Sequence, residues 1–217
     1  MGIPVLILGE SGSGKSASLR NFSKDDVGVI NVASKPLPFR SEIKPYNLNR
    51  EAKKQGKDRY QLLYKVLKGS KVRSVAIDDS QYLMAFDSFE KANVRNYEKF
   101  TTMAVNFEQL IEFCIDELDE DKIVYFLHHT ETTDNGKIKA KTIGKMLDNQ
   151  LTVEGLFSIV LLCTCDKTGH YFITQSDGTT TAKSPMGMFE YHIDNDLKAV
   201  DDIIRNYYNL LKETTSL

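Results

Sequence analysis

The sequence has few cysteines, no excess of charge of either sign and no long apolar run, and each absence limits what the chain can be. Its three cysteines are an odd number and too few for a structural zinc site, so we expect a reducing compartment. Lysine and arginine number 28 against 30 aspartates and glutamates, a net charge of −2, so any nucleic-acid surface must be local. No apolar run approaches membrane-spanning length, and Met1 leads directly into a predicted strand. We therefore expect a cytoplasmic protein with no signal peptide and no membrane partner.

A glycine-rich loop near the start of the chain is its most informative feature. The loop lies between an apolar run at residues 3–8 and a segment at 17–22 that can form a helix, and it reads Gly9-Glu10-Ser11-Gly12-Ser13-Gly14-Lys15-Ser16. It matches every fixed position of the phosphate-binding pattern G-x-x-x-x-G-K-[ST], in the strand-to-helix context that the pattern requires. The alternative is a chance glycine-serine turn, which the flanking strand and helix make the weaker interpretation.

The chemistry of this loop suits a nucleotide that carries a magnesium ion. Glycines allow backbone angles closed to other residues, so consecutive N–H groups can turn toward phosphate oxygens, and the following helix adds its positive end. Lys15 would place a positive charge on the outer phosphates, and the Ser16 hydroxyl would help to hold Mg²⁺. The sequence predicts nucleotide contacts along the whole loop, from Gly9, Glu10, Ser11, Gly12, Ser13, Gly14, Lys15, Ser16 and Ala17.

An acidic residue at the end of a later strand is the predicted second half of this site. The apolar run at residues 72–77 predicts a strand, and Asp78-Asp79-Ser80 follows it. An aspartate in this place can reach the magnesium ion directly or through water, so Asp78 is the predicted metal partner alongside Ser16. Because many strands end in aspartate at a turn, the prediction depends on the P-loop in the same chain.

Two adjacent histidines, His128 and His129, follow the predicted strand at residues 122–127. Neighbours on a strand point to opposite faces, so the two rings cannot both bind one metal ion without distortion. We expect one of them to sense the γ-phosphate by hydrogen bonding, since histidine can donate or accept, and the other to be satisfied by packing or by the backbone. The sequence leaves open which is which.

Two polar segments are candidate nucleic-acid surfaces. Residues 130–156 form a long connection with little apolar periodicity, and its charge comes from Lys137, Lys139, Lys141 and Lys145. These lysines suit a loop that contacts the backbone of single-stranded DNA, although an exposed charged hairpin would have the same composition. The polar run at 49–59 is interpreted as a solvated loop, with a basic nucleic-acid contact as the alternative.

The order of the predicted elements indicates an α/β fold, with one domain over residues 1–217. Apolar runs and turn residues add strands at 27–32, 157–165, 170–174 and 179–183, and helices at 60–69, 100–114 and 197–211. Strands that alternate with helices form a mostly parallel central sheet with helices on both faces. The late hairpins predict antiparallel strands at one edge of that sheet.

The chain resembles the short, core-only RecA-like ATPases of bacteriophages, a group of phage AAA-family nucleotide-binding proteins that includes single-strand annealing recombinases. It lacks the arginine cluster of nucleoside kinases and the N-K-x-D segment of GTPases. The resemblance covers nearly the whole chain and rests on residues 9–16, 74–83, 126–131 and 181–187. It implies a RecA-like P-loop core, with ATP and Mg²⁺ between the subunits of a ring or filament and a mobile DNA-binding loop after the fourth strand. It also implies that Lys183 reaches the phosphates of a neighbouring subunit.

One departure from that family concerns the residue that orients the attacking water. RecA-type enzymes usually carry a glutamate after the second strand, where this chain reads Ala33-Ser34-Lys35-Pro36. Asp79 occupies the position where AAA-type ATPases hold their catalytic acid, so it is the candidate for polarising water, with Glu10 and Glu131 as alternatives. We expect slow or DNA-stimulated hydrolysis, with the nucleotide acting mainly as a switch.

The leading hypothesis is an ATP- and Mg²⁺-dependent phage DNA recombination protein that forms a homo-oligomer on single-stranded DNA and promotes annealing or strand pairing. Phage or host replication and recombination proteins are its candidate partners. One rival is an ATP-dependent loader, packaging or regulatory ATPase that acts on a protein. A weaker rival is a small-molecule phosphotransferase.

Overall fold

The computed structural model describes residues 1–92, 98–143 and 152–210. Within these ranges the chain forms a nine-stranded sheet in the order β3-β2-β4-β5-β1-β7-β8-β9, with β6 paired to β5. The strands are β1 Ile3–Gly9, β2 Val27–Asn31, β3 Tyr46–Asn47, β4 Ser74–Asp78, β5 Ile123–Thr132, β6 Ile138–Ala140, β7 Ile159–Cys165, β8 His170–Ile173 and β9 His192–Asp194.

The sheet is mostly parallel, and β1 lies at its centre. β1 pairs in parallel with β5 on one side and with β7 on the other, and β4, β2 and β3 continue in parallel beyond β5. β8 and β9 are antiparallel and close the edge beyond β7. The predicted mostly parallel sheet with antiparallel strands at one edge is confirmed.

Helices cover both faces of the sheet, because alternate side chains of each buried strand point to opposite sides. Leu6 and Leu8 of β1 pack in the core that contains α1 Leu48–Gln55, α2 Arg59–Gly69, α3 Tyr82–Glu90 and α4 Glu98–Asp116. Val5 and Ile7 pack on the other face, against the short 3₁₀-helix Ser16–Asn21 and the last helix, α5 Leu197–Tyr207. None of the helices in the described ranges has the length and apolarity that a membrane crossing requires.

One predicted loop is a helix, and one predicted helix is of a different type. The polar run at 49–59 is largely the helix α1, which Gly56 ends in the left-handed conformation (φ 60°), and only Leu48 and Ala52 of α1 are buried. Two buried residues give too short an apolar pattern to reveal a helix in the sequence. The helix after the glycine loop is a 3₁₀-helix of six residues, in which the Ser18 hydroxyl donates to the Lys15 carbonyl at 2.6 Å. Serine side chains that bond to nearby backbone in this way compete with helix formation.

The predictions for two strands are also corrected. β5 continues through both histidines to Thr132 and turns back as β6, so the first part of the predicted long loop is a hairpin. Residues 179–183 do not extend the antiparallel edge from β8, a place that β9 takes. Instead, Lys183 forms an isolated bridge with Val160, and Thr180 forms one with Ile138. This segment therefore connects the β6 hairpin to the edge of β7.

Candidate functional site

The glycine loop lies at the carboxyl edge of the sheet, directly after the central strand β1. Gly12 and Gly14 have positive φ angles of 83° and 104°, in the region that favours glycine. A Cβ atom on Gly9 would lie 2.4 Å from the Ser13 hydroxyl and 2.7 Å from the Cys163 carbonyl. The loop is therefore folded tightly on itself and on β7, and its path depends on the glycines.

Lys15 is buried and curls back over the loop. Its Nζ donates hydrogen bonds to the carbonyl oxygens of Gly9 and Glu10, both at 2.8 Å. Burial lowers the pKa of Lys15, although the nearby Cys163, Asp79 and Asp78 oppose that effect. The structure thus holds the predicted phosphate-binding cation inside the loop, on carbonyls that it must release in order to meet a ligand.

Ser16 and Asp78 lie in direct contact. The Ser16 hydroxyl donates to Asp78 Oδ1 at 2.7 Å and joins the glycine loop to the end of β4. Burial raises the pKa of Asp78, and the hydrogen bond from Ser16 works against that rise. The two residues that the sequence assigns to one metal ion are therefore neighbours, although 62 positions separate them in the chain.

A cavity of about 290 Å³ opens beside the loop. Its lining includes Ser11, Gly12, Gly14, Lys15, Ser16, Ala17, Lys35, Pro38, Asp79, His129 and His170. Within the described ranges, the backbone N–H groups of Gly12, Gly14, Lys15 and Ser16, all of which line the cavity, have no hydrogen-bond acceptor. Polar groups that line a cavity without partners are suited to an anionic ligand with several oxygens.

Asp79 lies at the rim of this cavity in an unusual backbone conformation. Its φ of 62° is in the left-handed region, and its side chain is nearly buried. One carboxylate oxygen pairs with Lys35 Nζ at 2.5 Å and the other lies 3.3 Å from His129 Nε2. Burial alone would raise the pKa of Asp79, but hydrogen bonds from His129 and Lys35 outweigh burial and lower it. Asp79 is therefore held as a carboxylate between two basic groups.

The structure separates the two histidines. His129 lines the cavity and contacts Asp79. His128 is fully buried and packs near Phe107; its Nε2 lies 2.8 Å from the Lys141 carbonyl and its Nδ1 lies 2.9 Å from the Ser80 hydroxyl. A carbonyl only accepts, so Nε2 carries the hydrogen and Nδ1 accepts from Ser80. This places His129 where a ligand could be sensed and His128 in a structural position.

The buried His128 gives the protein a pH-dependent stability. Burial lowers the pKa of His128 from 6.5 to about 4. The unfolded chain takes up a proton as the pH falls through 6.5, whereas the folded chain does not until the pH nears 4, so stability is lost in that window. From pH 7 to pH 5 we expect this residue to remove about 2 kcal/mol from the free energy of unfolding. Denaturant unfolding of the wild type and of His128→Gln at both pH values isolates the effect, and equal pH dependence in the two would contradict it.

The remaining predicted residues lie away from the cavity. Lys183 pairs its backbone with Val160 of β7, three residues before Cys163, which contacts the loop. Lys139 pairs with Glu131 at 2.9 Å, while Lys137 and Lys141 are exposed on the β5–β6 hairpin. Lys145 lies outside the described residues. The hairpin is anchored where Ala140 N donates to the buried carboxylate of Glu154 at 2.7 Å.

Two cavity residues were not predicted from the sequence. His170 begins β8, and its Nδ1–H donates to the Ser13 carbonyl at 2.7 Å, a carbonyl that the Cys163 thiol also approaches at 3.1 Å. The hairpin turn before His170 predicts that β8 follows β7, but nothing in the sequence shows that its first residue reaches the loop. Lys35 lies in the segment after β2 where RecA-type enzymes usually carry a glutamate. This difference from the family was the one feature of the sequence that could have indicated a role for Lys35.

Neither comparison with known proteins finds a match. A scan against models of protein families gives no matching family, and a search of curated proteins gives no relative.

The geometry suits a magnesium ion that arrives with a nucleotide. Among the described residues, no group of three or more histidine, cysteine, aspartate or glutamate side chains could hold a metal ion. Mg²⁺ is commonly bound through one or two protein oxygens, with water and substrate phosphates completing its shell. Ser16 and Asp78 supply two such oxygens beside the unpartnered N–H groups of the loop. The residues present thus fit a magnesium nucleotide.

Proposed function

We propose that this chain binds ATP with Mg²⁺ at the glycine loop and hydrolyses it slowly, using the nucleotide as a switch on a RecA-like P-loop core. The observation that carries the proposal is the hydrogen bond between Ser16 and Asp78. It joins a phosphate-binding pattern to an acidic strand end, beside a cavity lined by Lys15 and by N–H groups without acceptors.

The chain's own residues have separate tasks in this proposal. Mg²⁺-ATP supplies a phosphoanhydride bond whose cleavage releases the terminal phosphate to water. Lys15 leaves the carbonyls of Gly9 and Glu10 to contact the outer phosphates, and the loop N–H groups orient them. Asp79 is the group that accepts a proton from water, and His129 holds the Asp79 carboxylate in place.

The β5–β6 hairpin is the element that would respond to the nucleotide. His129 lies in β5, and its carbonyl accepts from Lys141 N at 2.9 Å, just after β6. A shift of His129 at the cavity would therefore reach the exposed end of the hairpin through one strand. We propose that Lys137, at the turn of the hairpin, and Lys141, at its base beside His129, bind the backbone of single-stranded DNA, as a DNA recombination protein acting in a homo-oligomer requires, with Lys183 facing a neighbouring subunit.

A protein partner is the second candidate, and the surface favours it in two places. Met186 is 89% exposed and Phe89 is 76% exposed, although both are large apolar residues. The pairing of Lys139 with Glu131 also removes one positive charge from the hairpin. An ATP-dependent loader or regulatory ATPase would use such surfaces for a protein and would have no intrinsic DNA affinity.

A titration with single-stranded DNA tests these alternatives. Gel shifts are measured without nucleotide, with ADP and with a non-hydrolysable ATP analogue, at several salt concentrations. For a recombination protein, we expect the tightest DNA binding with the ATP analogue. We also expect the logarithm of the DNA association constant to fall linearly with the logarithm of the salt concentration, with a slope of about −0.7 for each phosphate contact. A chain that acts on a protein would bind the analogue and leave the DNA unshifted.

Lysine variants assign the binding surface. Lys137→Ala combined with Lys141→Ala should weaken DNA binding and make the affinity less dependent on salt. The reason is that fewer counterions are released from the DNA when fewer lysines contact its phosphates. The matched control is Lys65→Ala with Lys71→Ala, which removes the same charge from exposed lysines of α2 and of the turn before β4. Equal losses in both double variants would reject the hairpin as the DNA-binding element.

A further inference from the structure

We infer that Lys35 is a second phosphate-binding cation of this site, supplied by the same subunit, which exchanges Asp79 for the terminal phosphate when ATP binds. The inference rests on the proposed function and adds to it a residue that distinguishes ATP from ADP. Four observations support it, and each concerns how Lys35 is positioned.

The backbone of Lys35 is clamped by a buried side chain. Asn31, at the end of β2, is fully buried; its Nδ2 donates to the Lys35 carbonyl at 2.6 Å and its Oδ1 accepts from Lys35 N at 3.2 Å. An amide that satisfies both backbone groups of one residue fixes that residue closely. The loop after β2 is therefore built to hold Lys35 in one place.

The residue before Lys35 is in an unfavourable conformation. Ser34 has a φ of 57°, and within the described ranges its buried hydroxyl has no hydrogen-bond partner. A left-handed backbone costs free energy at any residue other than glycine, and so does a buried hydroxyl without a partner. Such unfavourable features persist where the surrounding structure needs the geometry that they give. Here the geometry that is kept directs Lys35 into the cavity that contains the glycine loop.

The side chain of Lys35 is held loosely enough to change partner. Its ammonium group pairs with Asp79 and lies 5.7 Å from the centre of the Tyr82 ring, yet 57% of the side chain is exposed. Asp79 keeps its contact with His129 if Lys35 leaves, so the aspartate would not be stranded without a partner. Lys35 can thus move along the cavity toward an anion while the other oxygen of the buried Asp79 carboxylate keeps its contact with His129.

The chemistry of the cavity indicates which anion Lys35 would meet. Lys15 and Ser16 lie on the glycine loop itself, whereas Lys35 enters from the loop after β2, beside Asp79, the group proposed to face water. A cation beside the water-activating residue lies on the side of the terminal phosphate, which ATP has and ADP lacks. Lys35 should therefore contribute to the affinity for ATP and little to that for ADP.

Calorimetric titration of Lys35→Ala with the non-hydrolysable ATP analogue and with ADP tests the inference. One charge-assisted contact with phosphate is worth about 1.5 kcal/mol or more, so we expect the analogue to bind at least about 10-fold more weakly and ADP to change by less than about threefold. Lys35→Arg, which keeps the charge, should retain most of the preference for the analogue.

The matched control is Lys24→Ala. Lys24 is also a surface lysine in an ion pair, 3.0 Å from Glu42 with 55% of its side chain exposed, and it does not line the cavity of the glycine loop. Its replacement should leave both affinities unchanged. If the wild type binds both nucleotides and Lys35→Ala binds them as the wild type does, or loses both equally, the inference is overturned while the ATP site stands. If the wild type binds neither nucleotide, the proposed function fails and the inference with it.

Discussion

Replacing Lys15 with methionine is expected to weaken ATP binding by at least about 100-fold, since it removes two or more charge-assisted hydrogen bonds to phosphate. Methionine fills most of the space of the lysine stem and leaves the ammonium group out. The loss should be equally large for ADP, because Lys15 reaches from inside the loop and contacts phosphates that both nucleotides carry. Calorimetric titration with each nucleotide measures it.

Lys122 provides a closely matched control. Lys122 is also buried, its pKa is also lowered by burial, and its ammonium also donates to two backbone carbonyls, those of Ser70 at 2.7 Å and Val72 at 2.6 Å. It differs in lying just before β5, at the amino edge of the sheet, opposite the glycine loop. Lys122→Met should lower the stability and leave nucleotide affinity unchanged. ATP binding that survives Lys15→Met would remove the central assignment of the site.

The sequence was sufficient for those parts of the site that follow from local pattern and strand order. The loop at 9–16 matches a fixed motif, and the carboxyl ends of parallel strands meet at one edge of a sheet, so Ser16 and Asp78 could be predicted as neighbours. The choice between His128 and His129 depends on register. His128 pairs with Leu8 and faces the helices, whereas His129 pairs with Gly9, and alternation alone does not tell which face holds the cavity.

Other parts of the molecule depend on contacts between residues far apart in the chain. Lys35 enters the cavity from the loop after β2 and His170 from the start of β8, and their partners Asp79 and Ser13 are known only once the chain is folded. Arg59 was included in a solvated or basic surface, yet it is buried and pairs with Asp87 and Glu90. A charged residue is predicted from the sequence to be exposed unless its partner is known.

In the last helix, α5, the sequence also fails to show which charged residues are buried, and there the buried charges matter more for stability. The apolar spacing at 197–211 predicts the helix, but Ile203 and Tyr207 of α5 remain partly exposed, while its charged Asp201 and Arg205 are buried. Asp201 accepts from Ser74 Oγ at 2.6 Å, from the Tyr125 hydroxyl at 2.8 Å and from Arg205 Nε at 2.7 Å. Arg205 also donates to the Asp121 carbonyl at 2.8 Å. A buried ion pair thus fastens α5 to β4 and β5.

Replacing Asp201 with alanine is expected to cost about 3–5 kcal/mol of the free energy of unfolding, since it leaves the Arg205 charge buried and uncompensated. The Tyr125 hydroxyl would lose its acceptor as well. Denaturant unfolding of the variant and the wild type at neutral pH measures the difference.

Asp202→Ala is the control from the next position on the same helix. Asp202 pairs with Lys198 at 2.6 Å across one helical turn, but its side chain is 60% exposed. Such surface pairs contribute about 0.3–0.5 kcal/mol, so this variant should unfold almost as the wild type does.

Asp201→Leu with Arg205→Met removes both buried charges together and should cost less than Asp201→Ala alone, because no charge is left without a partner. If the double variant were the less stable of the two, the cost would come from lost packing, and the uncompensated charge would not explain it.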